Sequence, residues 1–343
     1  MSSAKVCFIH NKVMDYRLPL FKNLNKEIDV DFLIFDQDNI DNLDATAVNK
    51  ITLLGKIAFS NYDVIVCPDF IFTESLFTSI LAKIKESTVV LYTEVWDMPN
   101  ASIMETIHKK TVLNIIDEFV DAYVVPGKKS KHYIQRETNC EKNDVFMTRS
   151  ACNINSAKPS DSSLDKFTIC YVGRLIPLKR IQDVLYSAEK SQYADDIIIK
   201  IAGTGSEEYL EYLKEIAAEI TPDTEFLGWV DDVTGVYDSS DVCILPSERD
   251  SFPLTVIESM KRSTPVVVSD GVGEANDLVI NGYNGFVNSV GDQEGIAEVI
   301  DLLIERPSCR NKLAENAYST INSEVSYNQM VGKFIEAIEY ATK

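Results

Sequence analysis

The chain has 343 residues, long enough for two domains, and its 45% apolar and 25% charged residues are the composition of a folded globular protein. A formal charge of −20 excludes a non-specific nucleic-acid binder, which needs lysine and arginine to displace counterions from phosphates. Seven scattered cysteines without a Cys-x-x-Cys pair, and three histidines far apart in sequence, argue against a disulfide framework and against a sequence-local metal site.

From the first residues onward, apolar β-branched runs alternate with helix-like stretches, the pattern of a parallel α/β architecture. Strands are predicted at 5–9, 30–35, 64–67, 89–92, 122–125 and 145–147, with helices at 18–26, 73–85, 103–119 and 128–136. A polar run at 153–165, rich in Ser, Asn and Asp, reads as a linker and sets the first domain at 1–160. The pattern restarts with strands at 167–172, 197–202, 225–227, 242–245 and 265–268 and helices at 181–189, 207–220, 254–262 and 294–305, a second domain over 161–325. Over 327–341 the apolar positions Met330, Val331, Phe334, Ile335 and Ile338 form a helical stripe that needs a partner. Two such Rossmann-like domains in tandem are expected to enclose a ligand cleft at their junction.

No apolar run is long enough to span a bilayer, and the N-terminal stretch lacks the apolar core of a secretory signal, so the sequence reads as cytoplasmic. Lys128, Lys129 and Lys131 form a basic cluster that leaves open weak contact with the inner membrane surface. Residues 1–160 hold 18 basic against 21 acidic side chains, a net of −3, and residues 161–343 hold 15 against 32, a net of −17. An anionic ligand of the second half must therefore be held by locally placed groups.

One such group is the segment from Tyr171 to Arg180, directly after an apolar strand. Gly173 permits a tight turn, and Arg174 and Lys179 stand at the turn and the start of the next helix, where free backbone N–H groups favour anions. Two cations in this place suit a diphosphate; a solvated basic loop is the plainer account. A second group runs from Pro246 to Met260, where a strand ends, Asp250 and Ser251 occupy the loop, and Pro253 suits a first helical turn. Asp250 and Glu258 could offer carboxylate oxygens to sugar and ribose hydroxyls, or merely stabilise a helix start. Gly203-x-Gly205 is an incomplete dinucleotide fingerprint, since Glu208 occupies the third glycine position. The Asp231-Asp232 pair reads as a helix N-terminus.

Taken in order, Gly-Arg-Leu-x-x-x-Lys, Phe-Leu-Gly-Trp-Val at 226–230, Asp241 opening a strand into Pro246-Ser247, an acid seven residues before Glu258, Thr264-Pro265-Val266-Val267, and Asn281-Gly282-x-Asn284-Gly285-Phe286 resemble the GT4-type family of glycosyltransferases, the glycosyl transferases group 1, of GT-B fold. The segment Tyr16-Arg17-x-Pro19-Leu20-Phe21 is similar to the start of such chains.

The resemblance implies an enzyme that moves a hexose-type sugar, with retention of anomeric configuration, from a nucleotide-diphosphate sugar, UDP- or GDP-linked, to a glycan, lipid-linked or other hydroxyl acceptor. It implies that Gly173, Arg174 and Lys179 hold the donor diphosphate. Glu258 would bind ribose, and Asp250 with Ser251, Phe252, Pro253 and Leu254 would meet the sugar and distal phosphate. Gly228, Trp229 and Val230 would flank the base, and no essential metal or other cofactor is expected. The final helix, over 326–343, would cross back to the first domain. Asp250 stands where the family usually has the longer Glu, so Glu248 is an alternative sugar contact. On the acceptor side, Tyr16, Arg17, Glu94 and Trp96 are candidates, because polar and aromatic groups at strand ends are what a sugar meets. A GT-B nucleotide-sugar epimerase and a non-catalytic sugar-nucleotide-binding protein remain as alternatives.

Overall fold

In a computed structural model of the chain, residues 4–36, 40–96, 102–158, 166–250, 254–273 and 275–343 are described below. They form two compact units, residues 1–153 with 325–343, and residues 154–324. The first unit is built on seven parallel strands, β1 (Val6–His10), β2 (Val30–Ile34), β3 (Ala45–Ala47), β4 (Val64–Cys67), β5 (Thr88–Tyr92), β6 (Ala122–Val125) and β7 (Val145–Met147), in the order β3-β2-β1-β4-β5-β6-β7. Helices α1 (Leu18–Glu27), α2 (Lys50–Phe59), α3 (Thr73–Ile84), α4 (Ile103–Asp117) and α5 (Lys128–Glu137) alternate with them.

Strands in such a sheet are buried on both faces, which is why they read as unbroken apolar runs. Along β1, Cys7 and Ile9 face a core shared with Leu53 and Ile57 of α2, Ala82 of α3 and Leu113 of α4. Val6 and Phe8 face the other way, against Leu20 and Phe21 of α1 and Met330, Phe334 and Ile338 of the helix Tyr327–Ala341. That helix completes the second face: the Phe334 ring lies 5.5 Å from Phe8 and 5.3 Å from Tyr92 by centroids, and the Tyr327 hydroxyl donates to the Tyr16 carbonyl at 2.6 Å.

The second unit repeats the plan with β8 (Phe167–Val172), β9 (Ile197–Ala202), β10 (Asp223–Gly228), β11 (Val242–Leu245), β12 (Val266–Ser269) and β13 (Gly285–Asn288), all parallel, in the order β10-β9-β8-β11-β12-β13. Its helices are α6 (Ile181–Lys190), α7 (Glu207–Glu219), α8 (Thr234–Asp238), α9 (Leu254–Lys261), α10 (Ala275–Leu278), α11 (Gln293–Glu305) and α12 (Pro307–Glu324). Residues 154–157 join this unit rather than the first because the Ile154 and Asn155 carbonyls accept from the Lys261 and Arg262 side chains and the Ala157 amide donates to the Lys261 carbonyl. In each sheet the order reverses beside the first strand, between β1 and β4 and between β8 and β11, and the loops leaving those strands open the crevice where such sheets bind ligands. Among the described residues, no helix is long and apolar enough to cross a membrane.

Candidate active site

In the second unit the crevice is framed by backbone. After β8 the chain turns at Gly173, whose N–H donates to the Ala202 carbonyl at 3.0 Å, and the Leu175 N–H reaches the Thr204 carbonyl at 2.8 Å. The loops after β8 and β9 therefore lie main chain against main chain. A Cβ on Gly203 would stand 1.8 Å from the Gly173 carbonyl oxygen, and one on Gly205 would stand 1.9 Å from that of Leu175. This contact accounts for Gly203-x-Gly205: the glycines let the turn carrying Gly173 and Arg174 seat on its neighbour.

Lys179 ends a short 3₁₀ turn, Pro177–Lys179, and the next residue, Arg180, adopts a left-handed conformation with φ of 51°. The two adjacent cations then diverge. Arg180 binds Asp183, itself almost fully buried, through Nε at 2.6 Å and so serves the scaffold. Lys179 instead forms an ion pair through Nζ with the Asp250 carboxylate, both side chains nearly enclosed at 13% and 14% exposure. The Asp250 loop is pinned from both sides: the Glu248 N–H donates to the Leu178 carbonyl at 2.9 Å, and the Asp250 N–H to that of Gly271 at 3.1 Å. Lys179 and Asp250, assigned by resemblance to different parts of a donor, are here partners of each other.

Arg174 is exposed, and among the described residues its guanidinium forms no hydrogen bond or ion pair. Glu258 lies on α9, whose first-turn Thr255 hydroxyl donates to the Val172 carbonyl at 3.0 Å and so ties α9 to the strand that precedes Gly173. Burial raises the Glu258 carboxyl above its ordinary range, against the opposing bond from the Tyr237 hydroxyl at 2.9 Å. Leu254 opens α9; Ser251, Phe252 and Pro253 lie outside the described residues. At the end of β10, Gly228 has φ of 65°, Val230 is half-buried, and Trp229 is 74% exposed with its indole N–H donating to Asp231 at 2.7 Å. Glu248 is half-buried beside the Lys179 turn. Asp232 accepts from the Thr234 N–H at 3.0 Å at the entry to α8, a helix end as its sequence suggests. A separate cavity of about 260 Å³, lined by Asp241, Arg262 and Arg310, sits at the opposite, N-terminal ends of β11 and β12 and is stitched by the Arg310–Asp241 ion pair.

The first unit has its own cavity, of about 280 Å³, at the C-terminal ends of β1, β4 and β5. Arg17, at the start of α1, is buried there: Nη1 donates to the Tyr92 hydroxyl at 3.0 Å and Nη2 pairs with Glu94, to which Tyr92 also donates at 2.9 Å. The guanidinium also covers the Tyr16 ring at 5.4 Å. Burial alone would raise the Glu94 carboxyl, but Arg17 and Tyr92 outweigh it and hold Glu94 below its ordinary range. Tyr16, Arg17 and Glu94 thus meet around one cavity.

Trp96 does not join them: it packs in the core behind the sheet, with Lys129 Nζ 4.6 Å from its ring centroid. The chain turns inward after Val95, itself buried in the same core, so the two aromatic and acidic members of the segment part company. The sequence reading passed over His10 and Asp69, which complete the cavity. Burial, reinforced by Arg17, lowers the His10 pKa to about 3. Burial also raises Asp69 to about 6, against the hydrogen bonds it accepts from the Glu94 and Ile71 amides. His10 is the last residue of β1 and Asp69 lies two residues beyond the end of β4, and polar residues at the ends of central strands are the signal that could have found them. Among the described residues, no group of three or more His, Cys, Asp or Glu is placed to hold a metal ion.

The profile of the family described as Glycosyl transferases group 1 matches residues 154–320, nearly all of the second unit. The second unit is thus similar to the glycosyl transferases group 1 family. The chain is similar to the capsular polysaccharide biosynthesis glycosyltransferase CapM of Staphylococcus aureus, 27% identical over 51% of this chain and 46% of the relative. It is also similar to the Escherichia coli UDP-Gal:alpha-D-GlcNAc-diphosphoundecaprenol alpha-1,3-galactosyltransferase, 30% identical over 50% of this chain and 48% of that one. These matches span about half the length of the relatives. In fold the likeness runs the whole chain: Anabaena Alr3699/HepE in complex with UDP gives a TM-score of 0.82 at 16% identity, covering 98% of this chain and 99% of that one. The lipopolysaccharide outer core galactosyltransferase WaaB gives 0.78 at 17% identity, over 98% and 99%. The fold is GT-B.

Proposed function

We propose that this protein is a retaining glycosyltransferase that takes a hexose-type sugar from a nucleotide diphosphate, UDP before GDP, to a hydroxyl of a glycan or lipid-linked acceptor. One observation carries the reading: in the unit that matches the family, Lys179 is held at the strand ends by the Asp250 carboxylate, beside an exposed Arg174 that forms no ion pair among the described residues. A donor diphosphate replaces Asp250 as the partner of Lys179, and the freed carboxylate turns to the sugar hydroxyls. Glu258, with one oxygen engaged by Tyr237, offers the other to the ribose. Gly228 to Val230 flank the base.

In the reaction the bond from the anomeric carbon to the diphosphate oxygen breaks as a bond to the acceptor oxygen forms on the same face. The acceptor proton passes to the departing phosphate, so no protein nucleophile is required. Arg174 and Lys179 act on the negative charge that grows on the leaving group, and removing one such preorganised donor costs about a hundredfold or more in turnover. The cavity of the first unit, with Tyr16, Arg17 and Glu94, takes the acceptor. Support for a UDP donor comes from the similar folds, Alr3699/HepE being in complex with UDP and with UDP-glucose. The E. coli relative's name gives it a diphosphoundecaprenol-linked acceptor.

A panel of UDP-, GDP- and ADP-sugars tests the reading by thermal shift, since a ligand of the native state raises the melting temperature by mass action. One base should stabilise the protein, and Lys179→Ala should abolish that stabilisation and reduce transfer about a hundredfold or more. A flat response to all donors, or full transfer by Lys179→Ala, overturns it.

A further inference from the structure

The cavity of about 260 Å³ at the N-terminal ends of β11 and β12 lies across the sheet from the donor crevice, and the transfer reaction makes no use of it. Three cations reach it from separate parts of the chain: Lys158 from the segment that enters the second unit, Arg262 from the end of α9 and Arg310 from the start of α12. The two arginines are fixed in advance. Arg262 donates through Nε to Asp238 at 2.8 Å and through Nη1 to the Asn155 carbonyl at 2.9 Å. Arg310 pairs with Asp241 at 3.1 Å and covers the Phe167 ring at 5.6 Å. The backbone beside Lys158 is held as well: Ser263, left-handed with φ of 61°, donates its hydroxyl to the Ala157 carbonyl.

Donors and acceptors in this wall do not balance. Both Asp238 oxygens accept from Arg262, and Asp241 gives one oxygen to Arg310 and the other to the Thr168 N–H at 2.8 Å. The carboxylates are therefore spent on the scaffold, while donors are left over. A guanidinium carries more N–H groups than the single ion pair of Arg310 uses, and the exposed Lys158 ammonium forms no hydrogen bond or ion pair among the described residues. Charge leans the same way, with three cations against two carboxylates in the lining although the whole chain is net −20. Just outside it, Asp232 acts on Arg262 and Lys261 reaches the Ile154 carbonyl at 3.3 Å, one charge of each sign. Cations arriving from three segments suit an anion whose oxygens point in several directions. A phosphate group has that shape, and an arginine fork with a lysine point charge is what its oxygens take; a planar carboxylate would fill one fork and leave Lys158 unanswered.

We propose that this cavity is a binding site for a phosphate group, carried either by inorganic phosphate or by a phosphomonoester. Binding here needs neither donor nor acceptor sugar, so it stands or falls apart from the transfer reaction. The full chain is titrated with inorganic phosphate by calorimetry at constant ionic strength, and then with glycerol 3-phosphate. Arg310→Gln should weaken phosphate binding at least about tenfold, since hydrogen bonds to a charged group are lost. Lys158→Gln should weaken it about threefold, the scale of an exposed charge. Lys158 makes no contact in the fold, so its variant decides the matter even if Arg310→Gln, which strips the buried Asp241 of its partner, fails to fold. Lys179→Ala, which alters the other cationic crevice of this unit, should leave the cavity's affinity unchanged. Tighter binding of glycerol 3-phosphate than of phosphate supports the site with a phosphomonoester as its ligand, and the reverse order supports it with the free ion. The proposal is overturned if neither titrant binds saturably, or if binding is lost in Lys179→Ala while Lys158→Gln and Arg310→Gln retain it.

Discussion

Both units carry a cation paired with a carboxylate at the crevice edge of a parallel sheet, yet the two pairs are built for opposite ends. Arg17 is clamped by Glu94, Tyr92 and the Tyr16 ring, every contact intramolecular and most of it buried. Among the described residues Lys179 has one carboxylate partner, Asp250, on a loop pinned through its backbone. A point charge on a flexible stem can trade one oxyanion for another, whereas a guanidinium held in a fork cannot leave without stranding its partners. The first pair shapes a cavity; the second is the one that the proposed donor would exchange.

The contrast is broken most severely at the frame of the second site. Gly203→Ala should destabilise the second unit by more than about 4 kcal/mol in urea unfolding, because the added methyl has only a carbonyl oxygen to move against; a loss below about 1 kcal/mol would mean that the two loops can part.

Next comes the clamp. Arg17→Met leaves the half-buried Glu94 with the Tyr92 hydroxyl as its remaining partner and should cost about 3 kcal/mol, whereas the matching Lys179→Met should cost about 1 kcal/mol or less. Equal losses would erase the distinction between fixed and exchangeable pairs.

Smallest is a pH effect confined to the first cavity. The folded state holds His10 at about 3, below its ordinary 6.5, so the unfolded chain binds the extra proton and stability falls as pH drops below 6.5. Asp69, raised from 3.8 to about 6, acts in the opposite sense and adds stability over the range from 6 down to 3.8. From pH 7 to 5, His10 should remove about 2 kcal/mol and Asp69 return about 1 kcal/mol. His10→Gln should therefore shift the pH 7 to 5 stability difference by about 2 kcal/mol toward the acid side, and an unchanged difference would show that His10 is protonated in the fold.

Most of this architecture is legible in the chain, because strands buried on both faces announce themselves as apolar runs; 122–125, 167–172, 197–202 and 242–245 coincide with β6, β8, β9 and β11. Elements without a periodic stripe are the ones missed. In α2 the apolar residues surround the helix, although the Asn49 and Thr52 capping box marks its start. The three-residue β3 is too short to alternate, and β13 hides behind the turn at Asn281 to Asn284. In the second unit, the sequence singled out Arg174, Lys179, Asp250 and Glu258 loop by loop, but the direct pairing of Lys179 with Asp250, distant in sequence, was not legible. In the first, local reading joined Trp96 to Glu94, while His10 and Asp69 come together with Arg17 only through the strand order.

The helix Tyr327–Ala341 closes one face of a sheet whose first strand begins at Val6. On the ribosome the whole second unit must emerge before that cover does, leaving Phe8, Phe21 and Phe32 to wait exposed. Nascent chains of this protein thus pass through a stage in which one domain is complete while the earlier one still shows an aromatic surface, a natural point for chaperone capture or misassembly.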